Sequence, residues 1–564
     1  MNILGVAFLS DASACVLRDG HVVAAVSEER LNRLKLWHGV PHRAIKEVLD
    51  LAGLTLAEID FVATHGKAPI APERAPFEEK ALAIARSDLP EAVKQGQCEL
   101  LWNRFDHENM VLSRRTPGCI AEIEALGPPV KIYAHHMTHA ATAFFGSGWA
   151  SGLIVTADGW GEDASHTLCY GMETQLEQLS HSNTFDSLGY FYGSITKALG
   201  FIPHRHEGKV LGLAAYSNTP QSYAELRRMI DVDLDAGRFI GRMENGLYVP
   251  RFENDALREY VANFSREDVA AGAQRSLEEV MCALIARQGS KAQRTAVAGG
   301  IFANVKLNQR IAELPNLKEI FVYPNMGDGG LCVGAAWLAH VEMTRKAPAP
   351  WTTCYLGRAP NELEIGRELQ QSGLSFCRAP NVQDAIAQLL AENKVVARCN
   401  GAMEFGPRAL GHRSLLYHAR DPSVNGWLNE RLKRSEFMPF APATLVEEAD
   451  RYYRNLDRCR TSAKYMTITC DCTPEMRKAA PAAVHVDGTA RPQLVCPQEH
   501  PDFYAILSAY RRRTGEATLI NTSFNMHEEP IVCSAQDAIR AYVASGLGVL
   551  ALGDFIVESN DSKN

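Results

Sequence analysis

Gly152-Leu153-Ile154-Val155-Thr156-Ala157-Asp158-Gly159-Trp160-Gly161 runs from a short apolar segment into a glycine-rich stretch that carries one aspartate. Such a run reads as a buried strand, a turn at Asp158 to Gly161 and a returning strand over Ser165 to Tyr170. The chain opens with the same grammar. Ile3 to Val6 reads as a strand, Ser10-Asp11-Ala12-Ser13 as a polar turn and Ala14 to Leu17 as its return, after which Arg18-Asp19-Gly20-His21 turns into Val22 to Val26. One supersecondary unit is used twice, and the fold class is α/β.

A chain of 564 residues exceeds what one hydrophobic core sustains, so at least two domains are expected. The prolines of Lys346-Ala347-Pro348-Ala349-Pro350 suit an exposed linker, which places a first domain at 1–345 and a second at 351–564. The second is also α/β: helices are expected at Leu363 to Gln371 and Val382 to Glu392, with strands at Val395 to Cys399, Thr518 to Asn521 and Val549 to Leu552. A net charge of -8 without runs of one sign argues against nucleic acid or a membrane as partner. No apolar run approaches a bilayer-spanning length and Asp11 interrupts the N-terminal stretch, so a cytoplasmic location is expected. Fourteen cysteines without a CxxC pair read as reduced structural thiols.

The strongest local chemical signal is Tyr133-Ala134-His135-His136-Met137-Thr138-His139-Ala140. On a helix His135 and His139 face the same way and can bind one ion, whereas His136 turns about 100° aside toward a supporting or substrate-facing place. The alternative is a face of merely hydrogen-bonded histidines. Asp158, and Asp328 in Met326-Gly327-Asp328-Gly329-Gly330, supply two carboxylates. Two imidazoles with two carboxylates suit Fe(II), Mn(II) or Zn(II) better than calcium.

Gly299 and Gly300, between an apolar strand and Asn304, let backbone approach a ligand, or else form a packed strand-helix turn. Lys209, beside Gly208 and Gly212, offers an ammonium to a phosphate, or else is a solvated lysine. Arg398, Arg408 and Arg413, the run Asn521-Thr522-Ser523-Phe524-Asn525, and Arg491 offer forks, amides and hydroxyls for a dianion, or are ordinary surface groups.

In order along the chain stand HHMTHA (135–140), TADGWGE (156–162), HEGKVLGLAAY (206–216), AVAGGIFAN (296–304) and MGDGGLCVGAA (326–336), then FGPRALGHRSLL (405–416), PFAP (439–442) and INTSFN (520–525). Together they resemble the O-carbamoyltransferases of the NodU, CmcH and TobZ type from about residue 1 to about residue 555. The resemblance implies a duplicated actin-like (ASKHA, threonylcarbamoyltransferase-like) N-terminal domain and a YrdC-like α/β C-terminal domain. It implies His135, His139, Asp158 and Asp328 as ligands of a divalent metal, Fe(II) first, and Lys209, Gly212, Gly299, Gly300 and Asn304 around an adenylate. Carbamoyl phosphate would be cleaved to carbamate among Arg398, Arg408, Arg413, Arg491, Asn521, Ser523 and Asn525. Carbamate would react with ATP to give carbamoyl adenylate, and the carbamoyl group would pass to a hydroxyl of a small molecule of natural-product type.

Two departures from that pattern stand out. Family members commonly carry a histidine where this chain has Ser10, so Asp11 is expected to orient or deprotonate the acceptor hydroxyl, with His38 second. Before PFAP one arginine is missing, and Lys433 or Arg434 is expected to supply its charge. The competing classes are a tRNA-modifying threonylcarbamoyl-type transferase, which would need a basic RNA face, and a non-catalytic actin-like ATP-binding scaffold. The segment between about 68 and 130, with Trp102, Arg104 and Phe105, is the place expected for acceptor recognition. An exposed edge of the N-terminal hairpin would allow a homodimer.

Overall fold

The computed structural model describes residues 1–8, 10–67, 73–247, 254–433 and 437–558. Strand β1 (Asn2–Ala7) pairs antiparallel with β2 (Ser13–Arg18), which pairs antiparallel with β3 (His21–Ser27). On its other side β1 runs parallel to β4 (Phe61–His65), and β4 parallel to β5 (Val130–Tyr133). The second lobe repeats this plan with β6 (Ser151–Gly161), β7 (Ala164–Met172), β8 (Gln175–Asn183), β9 (Arg294–Ala298) and β10 (Glu319–Val322). Its order is β8-β7-β6-β9-β10, the counterpart of β3-β2-β1-β4-β5, with antiparallel and parallel pairs in the same places. This duplicated five-stranded plan is the actin-like architecture that the motifs imply.

After the last strand of each sheet a helix returns between the lobes, His135–Ser147 in the first and Leu331–Thr344 in the second. Nearly every residue of both helices from His135 to Gly146 and from Leu331 to Ala336 is buried, as expected of helices clamped between two sheets. They pack closely because residue 334 is glycine: a Cβ there would lie 2.1 Å from the Thr138 carbonyl oxygen.

One expectation about β6 needs correcting. The glycine stretch is not the turn. Register with β7 slips between Ala157 and Gly161, so Asp158-Gly159-Trp160 forms a bulge inside the strand, and Glu162-Asp163 makes the turn with Glu162 at φ 63°. A bulge bends the strand and re-aims a side chain; here it presents Asp158 to the helix of histidines.

The C-terminal half is built on a mixed eight-stranded sheet. Its centre is formed by Val396–Cys399, Arg413–His418, Thr518–Ser523 and Ala441–Leu445. Helices Glu362–Ser372 and Val382–Ala391 also form where the sequence places them. One apolar core runs from Val155, Leu277 and Ile320 of the first half to Tyr417, Leu445 and Ile520 of the second. Polar bridges reinforce it: Asn308 donates to the Thr467 carbonyl at 2.7 Å, Arg33 to those of Pro530 and Ile531 at 2.6 and 2.7 Å, and Lys306 pairs with Asp487 at 2.8 Å. The segment after Thr344 lies against the first half, with Pro348 buried and the Trp351 amide bonded to the Gly146 carbonyl at 3.2 Å. The outer edge of β3 gives its Ala25 amide to the Leu356 carbonyl at 3.2 Å.

All fourteen cysteines are free thiols. No helix among the described residues is long and apolar enough to cross a membrane.

Candidate active site

The helix His135–Ser147 begins after Ala134, a residue that cannot cap it, and the Glu162 carboxylate from the β6–β7 turn accepts the His135 amide at 3.1 Å instead. The helical repeat then brings His135 and His139 onto one side. The Nε2 atom of His139 lies 3.4 Å from Asp158 Oδ2 and 3.4 Å from Asp328 Oδ1, while His135 Nε2 lies 2.8 Å and 3.7 Å from the same two oxygens. Four donor atoms of these residues all fall within 4.8 Å of one another. Donors bonded to a common ion at about 2.0–2.2 Å and roughly right or tetrahedral angles stand about 3–3.5 Å apart, so the spacing fits one cation.

A second observation supports that fit. His139 is wholly buried, yet neither of its ring nitrogens has a hydrogen-bond partner. An orphaned polar group in the interior costs roughly 1–3 kcal/mol, and a cation at the cluster would satisfy Nε2. His136 turns aside as its spacing requires: Nδ1 meets Thr156 Oγ1 at 2.7 Å and Nε2 lies 3.4 Å from Asp158 Oδ1, so it braces the carboxylate. Burial pulls the His135 imidazole down, but the hydrogen bond and charge of Asp158 outweigh it and carry the ring up to about 9. A bound cation would take the place of that proton.

His135, Asp158 and Asp328 open onto a cavity of about 1130 Å³ between the two lobes. Asp11 lines it too, at φ 48°, and its carboxyl is pushed up to about 7 by burial and by the charges of Glu29 and Asp328 against Arg30. Lys209, Gly300 and Asn304 line it as well, Gly300 against the Asp158 side chain and Asn304 fixed by the Leu307 amide at 2.9 Å and by Gln274. Gly299 and Gly212 do not reach the lining. At φ 110° Gly299 has its missing Cβ 2.2 Å from the Ala157 carbonyl oxygen, and Gly212 abuts the Met438 backbone of the other half. Both serve close packing.

A second cavity of about 280 Å³ lies between the halves. Arg408, Arg491, Ser523 and Asn525 of the second half line it together with Lys35, Arg205 and Lys209 of the first. Three expected members are elsewhere. Arg398 is buried, bonded to Asp502 and the Gly411 carbonyl, and burial pulls its guanidinium down to about 10. Arg413 is fully buried and donates to the carbonyls of Asn400, Gly401, His412, Arg358 and Cys533. Asn521 is buried and donates to Gln493 and the Ala409 carbonyl. These three hold the loop that carries Arg408, because a buried donor must find acceptors and the nearest are backbone carbonyls. Lys433 is exposed at φ 57° and lines neither cavity, and Arg434 lies outside the described residues.

Several lining residues were not anticipated. His65 stacks on Phe8 with ring centroids 4.4 Å apart and meets His135 edge-on at 5.5 Å. Lys35, Arg205, His206 and Glu528 also line the small cavity. The pair His204-x-His206 just ahead of Lys209 was the one available signal for part of this set.

Two actin-like lobes meet at a His2Asp2 cluster and are joined to an α/β half with a cavity lined by lysine and arginine side chains. The family pattern described as Carbamoyltransferase N-terminus matches residues 2–337, and that described as Carbamoyltransferase C-terminus matches 387–559. The chain belongs to the carbamoyltransferase family and is a carbamoyltransferase. Nodulation protein NolNO of Sinorhizobium fredii is 31% identical, over 98% of this chain and 79% of that protein. Nodulation protein U of Bradyrhizobium diazoefficiens is 26% identical, over 93% and 92%. Among solved structures, component A of the Acidaminococcus fermentans (R)-2-hydroxyglutaryl-CoA dehydratase is 15% identical with a TM-score of 0.34, over 61% of this chain and 100% of that one.

Proposed function

We propose that this carbamoyltransferase is ATP-dependent, takes its carbamoyl group from carbamoyl phosphate and delivers it to a hydroxyl of a small molecule through carbamoyl adenylate. The carrying observation is that the two cavities share walls: Lys35, Arg205, Lys209, Ala303 and Arg408 line both. A product formed in the small cavity arises directly beside the large one, which matters for carbamate, an unstable intermediate.

In this scheme Lys35, Arg205, Lys209, Arg408 and Arg491 neutralise the phosphate dianion in the small cavity, with Ser523 and Asn525 beside them. A water oxygen bonds to the carbamoyl carbon and phosphate leaves. Carbamate oxygen then attacks the α-phosphorus of ATP, and pyrophosphate departs. His135, His139, Asp158 and Asp328 would hold a divalent cation, Fe(II) first, which would supply positive charge beside the triphosphate. Asn304 and the Gly300 backbone face the nucleotide side, and Lys209 stands where both cavities meet. Finally the acceptor hydroxyl oxygen bonds to the carbamoyl carbon, AMP leaves, and Asp11, on the wall beside the cluster, takes the hydroxyl proton.

Mass spectrometry of a quenched mixture of protein, ATP, carbamoyl phosphate and Fe(II), without acceptor, tests the reading. Carbamoyl adenylate is expected. ADP in its place, or intact ATP alone, would refute it.

A further inference from the structure

Between β4 and β5 the first lobe carries helices Ala75–Arg86 and Glu91–Met110, the latter continuing through Val111–Arg115 into Thr116–Glu124. Val111–Arg115 is the one π-helical turn among the described residues. Its sequence cause is Pro117, which lacks the amide that an unbroken α-helix would donate to the Ser113 carbonyl and whose ring would strike that carbonyl. Wide π turns of this kind recur at functional sites. This one faces the large cavity: His107, Val111, Leu112, Arg114 and Arg115 all line it.

The opposite side of the same region is Trp160, from the bulge that presents Asp158. Trp160 is held by Arg104, whose guanidinium lies 4.9 Å from its ring centre and 4.3 Å from that of Tyr190. Arg104 is itself fixed by Glu108 at 2.5 Å and the Tyr190 hydroxyl at 2.7 Å. His107 completes an aromatic wall, its ring 6.5 Å from that of Trp160. Among the described residues no ion pair or hydrogen bond engages the side chains of Arg114 and Arg115, and Glu122, the acidic group on the same wall, pairs with His42 at 3.3 Å. At about 1130 Å³ the cavity is also larger than a single bound small molecule needs, about 300–1000 Å³.

Resting on the reading above, we propose that this end of the cavity is the acceptor site, and that the acceptor is an anionic, ring-bearing hydroxyl compound. Its ring lies against Trp160 and His107 and its carboxylate or phosphate is gripped by Arg114 and Arg115. Trp160 follows Asp158 by two residues, so a ring seated there brings its hydroxyl toward the metal cluster and the carbamoyl carbon. Arginine forks recognise both anions, and the apolar face of a ring, C–H or aromatic, packs on indole whatever its substituents.

The test reads binding, not turnover. Calorimetric titration of the full-length protein with glucose, glucosamine, glucuronate and glucose 6-phosphate compares a neutral, a cationic, a carboxylate and a phosphate form of one ring. At least one anion is expected to bind about tenfold or more tightly than glucose and glucosamine. The better anion identifies the acid group. Arg114→Gln/Arg115→Gln should abolish that preference, and Arg114→Lys/Arg115→Lys should retain part of it. Equal affinities for all four, no anion binding at millimolar concentration, or a preference untouched in the Gln variant would each overturn the assignment. Pyrophosphate release by the unmodified protein without acceptor reports separately on the proposed chemistry, so either idea can fail alone.

Discussion

Residue 334 stands so close to Thr138 that a Cβ on it would lie 2.1 Å from the Thr138 carbonyl oxygen. Two helices therefore touch through their backbones, and the contact fixes how far His139, one residue beyond Thr138, stands from Asp328 at the head of the other helix. Gly334→Ala must push the helices apart. A cost of about 1–3 kcal/mol is expected, with a lower unfolding midpoint and weaker metal retention through dialysis. Unchanged midpoint and unchanged metal content would show that this contact does not set the cluster.

The arginines of the second half divide into two kinds. Arg408→Gln and Arg491→Gln, at the cavity, are expected to raise the KM for carbamoyl phosphate about ten- to hundredfold with little change in melting. Arg398→Gln removes a buried guanidinium from half-buried Asp502, which keeps Asn400 and Gln383 as donors, at a cost of about 1–3 kcal/mol. Steady-state kinetics beside melting curves separate the two behaviours, and a large KM effect with normal melting for Arg398→Gln would reverse their assignment.

Between the halves Asp487 accepts Lys306 at 2.8 Å and lies 3.6 Å from His485. Burial pushes its carboxyl up, but His485, Lys306 and Thr489 outweigh it and hold it well below the usual carboxylate range. A depressed carboxyl stabilises the folded state fully above its unfolded pKa, about 3.9, and that contribution fades as pH falls below it. The unfolding midpoint should therefore drop below about pH 4, and Asp487→Asn should be less stable at pH 7 while losing part of that acid sensitivity. Parallel acid profiles for the two proteins would contradict the assignment.

Periodic signals were legible in the sequence. His135 and His139 recur at helical spacing, and strands such as β1 and β6 are continuous apolar runs, so both the shared helix face and the repeated hairpin follow from local rules. What remained hidden depends on long-range partners. An arginine bound to carbonyls, such as Arg413, and one facing a cavity, such as Arg408, share one motif and one residue type, and only the fold decides which finds acceptors inside the protein. Asp158 was assigned to a turn because its glycines favour one, whereas pairing with β7 keeps them in a bulged strand. The helices between β4 and β5 carry no motif, and Pro117 gains meaning only once Glu91 to Glu124 is seen as one helix.

The central claim couples the His2Asp2 cluster to chemistry on ATP, and pyrophosphate release tests it most directly. With ATP and Fe(II) present, release is expected only when carbamoyl phosphate is added, and His139→Ala should lose both the bound metal and the release. Pyrophosphate formed equally without carbamoyl phosphate, or a His139→Ala protein that keeps stoichiometric metal and full release, would contradict the account.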